Sequence, residues 1–415
     1  MTEHRPTFGI LVGGGPAPGI NGVIGAAAIL ARRSGARVLG LVDGFRPLME
    51  GRTEGHFELT IGAVSRIHLL GGSVLRTSRA NPTKKPGDLV RSVETLRKLG
   101  IDHLITIGGD DTCFSALRVY EEAGGDLRVA HVPKTIDNDL PLPEGMPTFG
   151  FETARETAAT VLTHLMEDAR TTGRWYVVVM MGRSSGHLAL GAAKSSGATL
   201  AIVAEEFPDG PIRLTDVVHR IESAVVKRMA LGRPHGVAVV AEGIGERLHP
   251  EDLEQLPELP RDEHGHIRLA ELPLGRLLVG GVRRGLRELG LSMTLVAKDV
   301  GYELRCVAPN AFDAEYTRDL GAGAVQALLA GAEGVMITRE RNAILAVPLR
   351  EMLDPESGRT RVRLVDVSSL SYAMARALQV RFDLRDLDHP QLGPALAQTT
   401  GRSIAELRRR WAGVG

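Results

Sequence analysis

Short apolar runs alternate with longer amphipathic stretches along much of the chain. Phe8–Val12 is followed by Ile20–Arg33 and then Val38–Val42, and later Leu104–Ile107 leads into Thr112–Ala123 and Val129–Val132. Runs of this length read as strands and the longer stretches as helices, a βαβ rhythm. It continues with a helix over about Thr153–Thr171, a strand at Tyr176–Met181, a helix from Gly186, and strands near Leu200–Val203 and Val237–Ala241. The pattern predicts a doubly wound α/β protein whose ligands bind where loops leave the carboxyl ends of strands. Glycine clusters fall at those places: Gly13-Gly14-Gly15, Gly108-Gly109 and Gly182 each follow an apolar run and precede a helical pattern. Glycine lets backbone turn tightly and bring N–H groups against a phosphate. His249–Gly265, polar and holding Pro250, Pro257 and Pro260, reads as a surface insertion, and Ile404–Trp411 with Arg408, Arg409 and Arg410 as a solvated surface helix.

The chain has 415 residues, enough for two or three domains. Its 50 Lys plus Arg balance 50 Asp plus Glu, so no global field draws it to nucleic acid or an anionic membrane. Hydrophobic residues at 43% and charged residues at 24% describe a globular protein, while 49 glycines are an excess that the helices leave partly unassigned. Cys113 and Cys306 sit in no metal-binding spacing, which suits a reducing compartment. With no run of eighteen apolar residues and no signal-like leader, the expectation is a cytoplasmic enzyme.

Several familiar phosphate loops are excluded. Gly13, Gly15 and Pro18 lack the third glycine of the dinucleotide fingerprint, although Asp43 mimics its ribose-binding acid. In the closest approach to a P-loop, Gly186 to Ser195, the lysine falls two residues too late. Neither a nucleophile elbow nor a zincin helix is present. What remains are three segments at strand ends, Gly108-Gly109-Asp110-Asp111-Thr112, Pro133 to Asp139, and Met181-Gly182-Arg183, which together hold acids, a lysine and an arginine. Phosphoryl transfer to a hydroxyl needs a base, a metal ion bridging donor oxygens, and cations for the spreading charge.

The ordered set GGGPAPGIN (13–21), GGDDT (108–112), PKTIDND (133–139), MGR (181–183), Glu242 in AEGI and DVGYELRC (299–306) resembles the phosphofructokinase family. The resemblance spans about 300 residues and is strongest to the pyrophosphate-dependent branch, with further likeness to long bacterial members over residues 301–321. It implies two Rossmann-like doubly wound lobes with the active site in the cleft between them. The expected lobes are 1–142, completed by part of 305–350, and 143–304 with a polar insertion near 246–270, followed by a C-terminal extension, 351–415.

By the resemblance, Asp137 accepts the 1-hydroxyl proton of fructose 6-phosphate, with Thr135, Ile136 and Asp139 in the same loop. Asp110 matches the acid of the Mg²⁺ site, a hard-oxygen ligand. Arg183 stabilises the transferring phosphoryl group, and Gly14 and Gly15 offer backbone N–H groups to the donor beside Arg79. Arg174 reaches the sugar 6-phosphate of a neighbouring subunit, implying a homo-oligomer, a dimer before a tetramer. Tyr302, Glu303, Leu304 and Arg305 complete the sugar-phosphate pocket with Met181 and Gly182, and Glu242 accepts from a sugar hydroxyl.

ATP-using members of the family have glycine where this chain has Asp111, and many bacterial ones also have it in place of Lys134. A carboxylate at Asp111 opposes a nucleotide α-phosphate, and the compact charge of Lys134 suits a small, highly charged donor. Diphosphate is therefore the expected donor, with ATP, or sedoheptulose 7-phosphate as acceptor, as alternatives. The run Gly25-Ala26-Ala27-Ala28-Ile29 lacks the arginines of allosteric relatives, so control by ADP or phosphoenolpyruvate is not expected. Tyr302, and Val307 with Ala308, depart from the pocket motif of the ATP enzymes.

Overall fold

The computed structural model describes residues 5–143, 145–254, 272–356 and 358–414. Its strands are β1 (Thr7–Val12), β2 (Arg37–Leu41), β3 (His56–Glu58), β4 (His103–Gly108), β5 (Arg128–Pro133), β6 (Trp175–Met180), β7 (Leu200–Ile202), β8 (Gly236–Ala241), β9 (Leu295–Val300), β10 (Val335–Glu340) and β11 (Ala343–Pro348). They belong to two compact units. Residues up to Ala154 with Tyr302–Arg363 form the first, and Arg155–Gly301 with Leu364 onward the second. The segment expected as a C-terminal extension is thus divided at Arg363 between them. Of the expected polar insertion, Pro250–Glu254 is a short helix and residues 255–271 lie outside the described residues.

In the first unit the sheet order is β11-β10-β5-β4-β1-β2-β3. The central pairs β2–β1, β1–β4, β4–β5 and β5–β10 are parallel, while β3 and β11 close the edges antiparallel. Side chains alternate across the strands, so Phe8, Ile10 and Val12 join one core cluster and Leu11 joins another with Leu39 and Leu41. Burial on both faces explains why the strands read as continuous apolar runs. On one face the helices Ile20–Arg33 and Ala311–Leu329 cross where a Cβ on Gly321 would strike the Val23 carbonyl and one on Gly22 the Thr317 side chain. Part of the helical glycine content is thereby a close helix–helix contact. From β1 the chain builds outward through β2 on one side and β4, β5 and β10 on the other, which makes β1/β4 the switch point where adjacent loops diverge.

The second unit is an all-parallel sheet, β7-β8-β6-β9. Trp175, Val177, Val179, Ile202 and Val240 pack with the helices Leu214–Ala230 and Leu274–Glu288 and with Phe382, Leu396, Leu407 and Trp411 from the chain's last part. That last part also covers the β7 edge: the Val380 N–H donates to the Thr199 carbonyl at 2.8 Å, and Gln379 Oε1 accepts from the Ala201 N–H at 3.0 Å. The helix Ile404–Arg410 is not the purely solvated element the sequence suggests. Glu222, fully buried, accepts from Arg410 at 2.6 and 2.9 Å and from Trp411 Nε1 at 2.9 Å, so one of the expected surface arginines is a core counter-ion. Arg408 and Arg409 are exposed.

Candidate active site

The switch point of the first unit carries the glycine loops. Strand register places Val12 beside Ile107 and Gly108 beside Pro133, so the turns after β1, β4 and β5 emerge side by side. The Gly13 N–H donates to the Ile107 carbonyl and the Lys134 N–H to the Gly108 carbonyl, each at 2.8 Å. A Cβ on Gly13 or Gly108 would collide with the Thr112 side chain, which wedges between the two turns. Thr112 is buried in the first turn of the helix Asp110–Ala123. That helix is capped by Gly109, and Asp110 and Asp111 are exposed in its first turn, where the positive end of the helix dipole favours acids.

Lys134 is 4% exposed, and its ammonium donates to the Gly15 carbonyl. Burial, and next the charge of Arg305, bring its pKa down to about 8 against the opposing carboxylates of Asp137, Asp139 and Asp110. Asp139 is pushed above the ordinary carboxyl range by burial and then by the charge of Asp110. Asp137 is half-buried, and its N–H donates to Thr135 Oγ1 at 3.0 Å. Asn138, between the two acids, holds a left-handed backbone with φ 57°. Asp110 and Asp139, which repel each other, are of the donor type that suits a divalent cation, which magnesium-type sites hold through one or two carboxylates plus substrate oxygens. Among the described residues no three His, Cys, Asp or Glu side chains form a complete protein cage.

Some expected donors are placed differently. The Gly14 N–H already donates to the Ser78 carbonyl at 2.9 Å, and the Gly14 carbonyl accepts from Thr77 Oγ1 at 2.6 Å. Of the two glycines named for phosphate, only Gly15 keeps an N–H without a hydrogen-bond partner among the described residues. Arg305, expected from the resemblance in the sugar-phosphate pocket, belongs to the first unit, its guanidinium 4.8 Å over the Tyr302 ring and 3.4 Å from where a Gly15 Cβ would be. Tyr302 is exposed. The side chains of Ile136 and Leu304 are buried, so only their backbone groups are available to a substrate. Arg79 is exposed on the loop beside Ser78.

In the second unit, β6 stands between β8 and β9, and Met180 is level with Ala241 and Val300. Met181-Gly182-Arg183 and Glu242 therefore leave neighbouring strand ends. Glu242 Oε2 accepts from the Gly182 N–H at 3.3 Å, and Glu246 Oε1 pairs with Arg183 Nε at 3.1 Å. Gly182 has φ 149°, and a Cβ there would press on the Ser185 carbonyl. The Arg183 side chain is 79% exposed, so it is not the buried structural ion pair that is the usual alternative for such an arginine. Arg174 lies at the other end of β6, 3.8 Å from Asp168, and the length of the strand puts it about 20 Å from Arg183. The two arginines do not converge within one chain.

Sequence reasoning missed Thr77, Ser78, Thr112 and Glu246, and above all Arg363. Arg363 donates to the Asn138 carbonyl at 3.0 Å, to the Met146 carbonyl at 2.8 Å and to Asn138 Oδ1. No local pattern marks it, because the loop it serves is more than 200 residues earlier.

Comparison with known proteins fits this layout. The sequence profile of the family described as Phosphofructokinase matches residues 7–328. A pyrophosphate--fructose 6-phosphate 1-phosphotransferase of Thermotoga maritima is 50% identical over 389 residues, covering 92% of this chain and 93% of that protein. One of Naegleria fowleri is 46% identical over 99% of this chain and 96% of its own length. An ATP-dependent 6-phosphofructokinase of Mycobacterium tuberculosis is 33% identical over 83% of this chain and 93% of its own. In fold, the chain is similar to a pyrophosphate-dependent phosphofructokinase from Marinobacter aquaeolei, with TM-score 0.67 at 18% identity over 94% of this chain and 91% of that one. With the switch-point loops, the acid-rich turn after β5 and this similarity over nearly its whole length, the chain belongs to the phosphofructokinase family.

Proposed function

We propose that this protein transfers a phosphoryl group from diphosphate to the 1-hydroxyl of fructose 6-phosphate, giving fructose 1,6-bisphosphate and phosphate. The observation that carries the donor assignment is the buried ammonium of Lys134 on the Gly15 loop, opposite the acid-bearing turns and beside Arg305. Two cations in a partly desolvated turn suit a compact polyanion. Asp111, exposed at the start of the helix Asp110–Ala123, bears a charge that opposes a longer nucleotide chain.

Asp137 removes the proton of the 1-hydroxyl as the sugar oxygen bonds to the transferring phosphorus, and the bond from that phosphorus to the bridging oxygen of diphosphate breaks, so the bridging oxygen departs with the other phosphorus as phosphate. The Gly15 N–H, Lys134 and Arg305 hold the donor, and Arg183 stabilises charge on the transferring group. Asp110, with Asp139 nearby, would hold Mg²⁺, which when bound would supply charge neutralisation at the donor oxygens. Glu242 and the turn after β6 serve the sugar. Since Arg174 and Arg183 stand at opposite ends of β6, Arg174 is assigned to the sugar phosphate of a neighbouring copy in a homo-oligomer.

The test is a steady-state assay of the purified protein with diphosphate and with ATP. The expected result is kcat/KM for diphosphate at least 100-fold above that for ATP, about 3 kcal/mol of discrimination. An ATP value equal to or above it rejects the donor assignment. For the shared site, mixing an Arg174→Ala protein with an Asp137→Asn protein should restore activity that each lacks alone. No gain on mixing, with subunit exchange verified, rejects the intersubunit role.

A further inference from the structure

We propose that Arg363 is a positioning residue that sets the loop bearing Asp137, supplied by chain lying beyond the part that matches the family. The match ends at residue 328, and the segment that follows returns to the acid loops of the first unit. Its Arg363 N–H donates to the Asp139 carbonyl at 2.7 Å. The guanidinium then grips the same loop from the side: Nε donates to the Asn138 carbonyl at 3.0 Å, Nη1 to the Met146 carbonyl at 2.8 Å, and Nη2 to Asn138 Oδ1. Three residues upstream, Thr360 Oγ1 donates to the Asp110 carbonyl at 3.4 Å, so one strap touches both turns that carry the candidate acids.

The residue gripped is the one non-glycine position of this loop with a positive φ among the described residues. Asn138 has φ 57°, a left-handed conformation that asparagine tolerates better than most residues but does not prefer. It lies between Asp137 and Asp139, so rotation out of that conformation re-aims both carboxylates. Its side chain has a second local tie, accepting the Thr148 N–H at 3.0 Å. Arg363 adds a planar fork that takes the carbonyl and the side-chain oxygen of Asn138 together, which a single ammonium does not reproduce. It acts through Asn138 and is not itself assigned to substrate. Displacement of a reacting group by about 1 Å is enough to lower turnover about 100-fold.

The inference rests on the role proposed for Asp137, and the experiment separates the two. Wild type, Asp137→Asn, Arg363→Met and Arg363→Lys are compared by thermal melting and by kcat and KM for fructose 6-phosphate and diphosphate, each normalised to folded protein. Arg363→Met is expected to lose 10- to 100-fold in kcat with both KM values within about threefold of wild type. Arg363→Lys, which keeps the charge and part of the hydrogen bonding, should recover about half of that loss on a logarithmic scale. A kcat for Arg363→Met within twofold of wild type overturns the proposal, as does a loss confined to KM or to the folded fraction. Should Arg363→Met not fold, a wild-type kcat in Arg363→Lys overturns it instead, and a three- to tenfold fall supports it. If wild type turns over and Asp137→Asn does not, failure at Arg363 counts against positioning alone. If Asp137→Asn keeps wild-type activity, the reading of the loop itself is wrong.

Discussion

The candidate cations of the two units stand in opposite surroundings, Lys134 of the first withdrawn from water and Arg183 of the second standing in it. Lys134 is 4% exposed and its pKa is carried down to about 8 by burial and by Arg305, while the Arg183 side chain is 79% exposed and meets Glu246 in solvent. A charge in a low-dielectric turn interacts strongly with whatever enters, because neighbouring water does not screen it. An exposed ion pair is worth about 1 kcal/mol or less and is easily exchanged for another partner. The first unit is therefore preset before any ligand arrives, and the second offers an arginine that can change partners at little cost.

Breaking the preset side should have the larger consequences. Asp137→Asn is expected to lower kcat about 1,000-fold with little change in melting temperature, since a general base contributes 10²–10⁴-fold; a loss under tenfold would remove Asp137 from that role. Lys134→Met keeps the aliphatic stem and deletes the charge, and kcat/KM for diphosphate should fall at least 100-fold. A fall in the fructose 6-phosphate term alone would move Lys134 to the acceptor side.

A subtler test uses pH. Lys134 is charged below about 8 and loses its proton as pH rises through that value. A bound polyanion favours the charged form, so above pH 8 binding must take up a proton and KM for diphosphate should rise, approaching tenfold per pH unit. Lys134→Arg should remove that rise, and a wild-type KM flat from pH 7 to 9.5 would contradict the account. The smallest effect is expected on the exposed side, where Glu246→Gln should change kcat by less than about threefold and leave melting unaltered. A tenfold effect would mean that the Arg183–Glu246 pair is as preset as Lys134.

The strands and helices with the plainest periodicity, Phe8–Val12, Ile20–Arg33 and Thr112–Ala123, are found in place because both faces of their sheet are buried and the apolar run records it. The acid-bearing turns were legible too, since a glycine turn followed by Asp110 and Asp111 and a dense TIDND loop are local features. Distant chain decided the rest. The Gly14 N–H is taken by Ser78, Arg305 falls beside Gly15, and Arg363 grips Asn138, each across a gap no local pattern spans. Arg410 illustrates the same limit: in sequence it is one of three consecutive arginines, and only the fold sets it against buried Glu222.

The pairing of β10 with β5 has a consequence for how the protein is made. Val335 is level with Ala130, so β5 waits for roughly 200 further residues before its outer neighbour exists. At about 5–20 residues per second that is about 10–40 s on the ribosome with an apolar parallel strand uncovered on one side. The second unit fills much of this interval, its strands β6 to β9 emerging while the first sheet is unfinished. The nascent chain thus carries an open strand edge for about half of its synthesis, the kind of surface on which chaperones act and at which truncated products stick together.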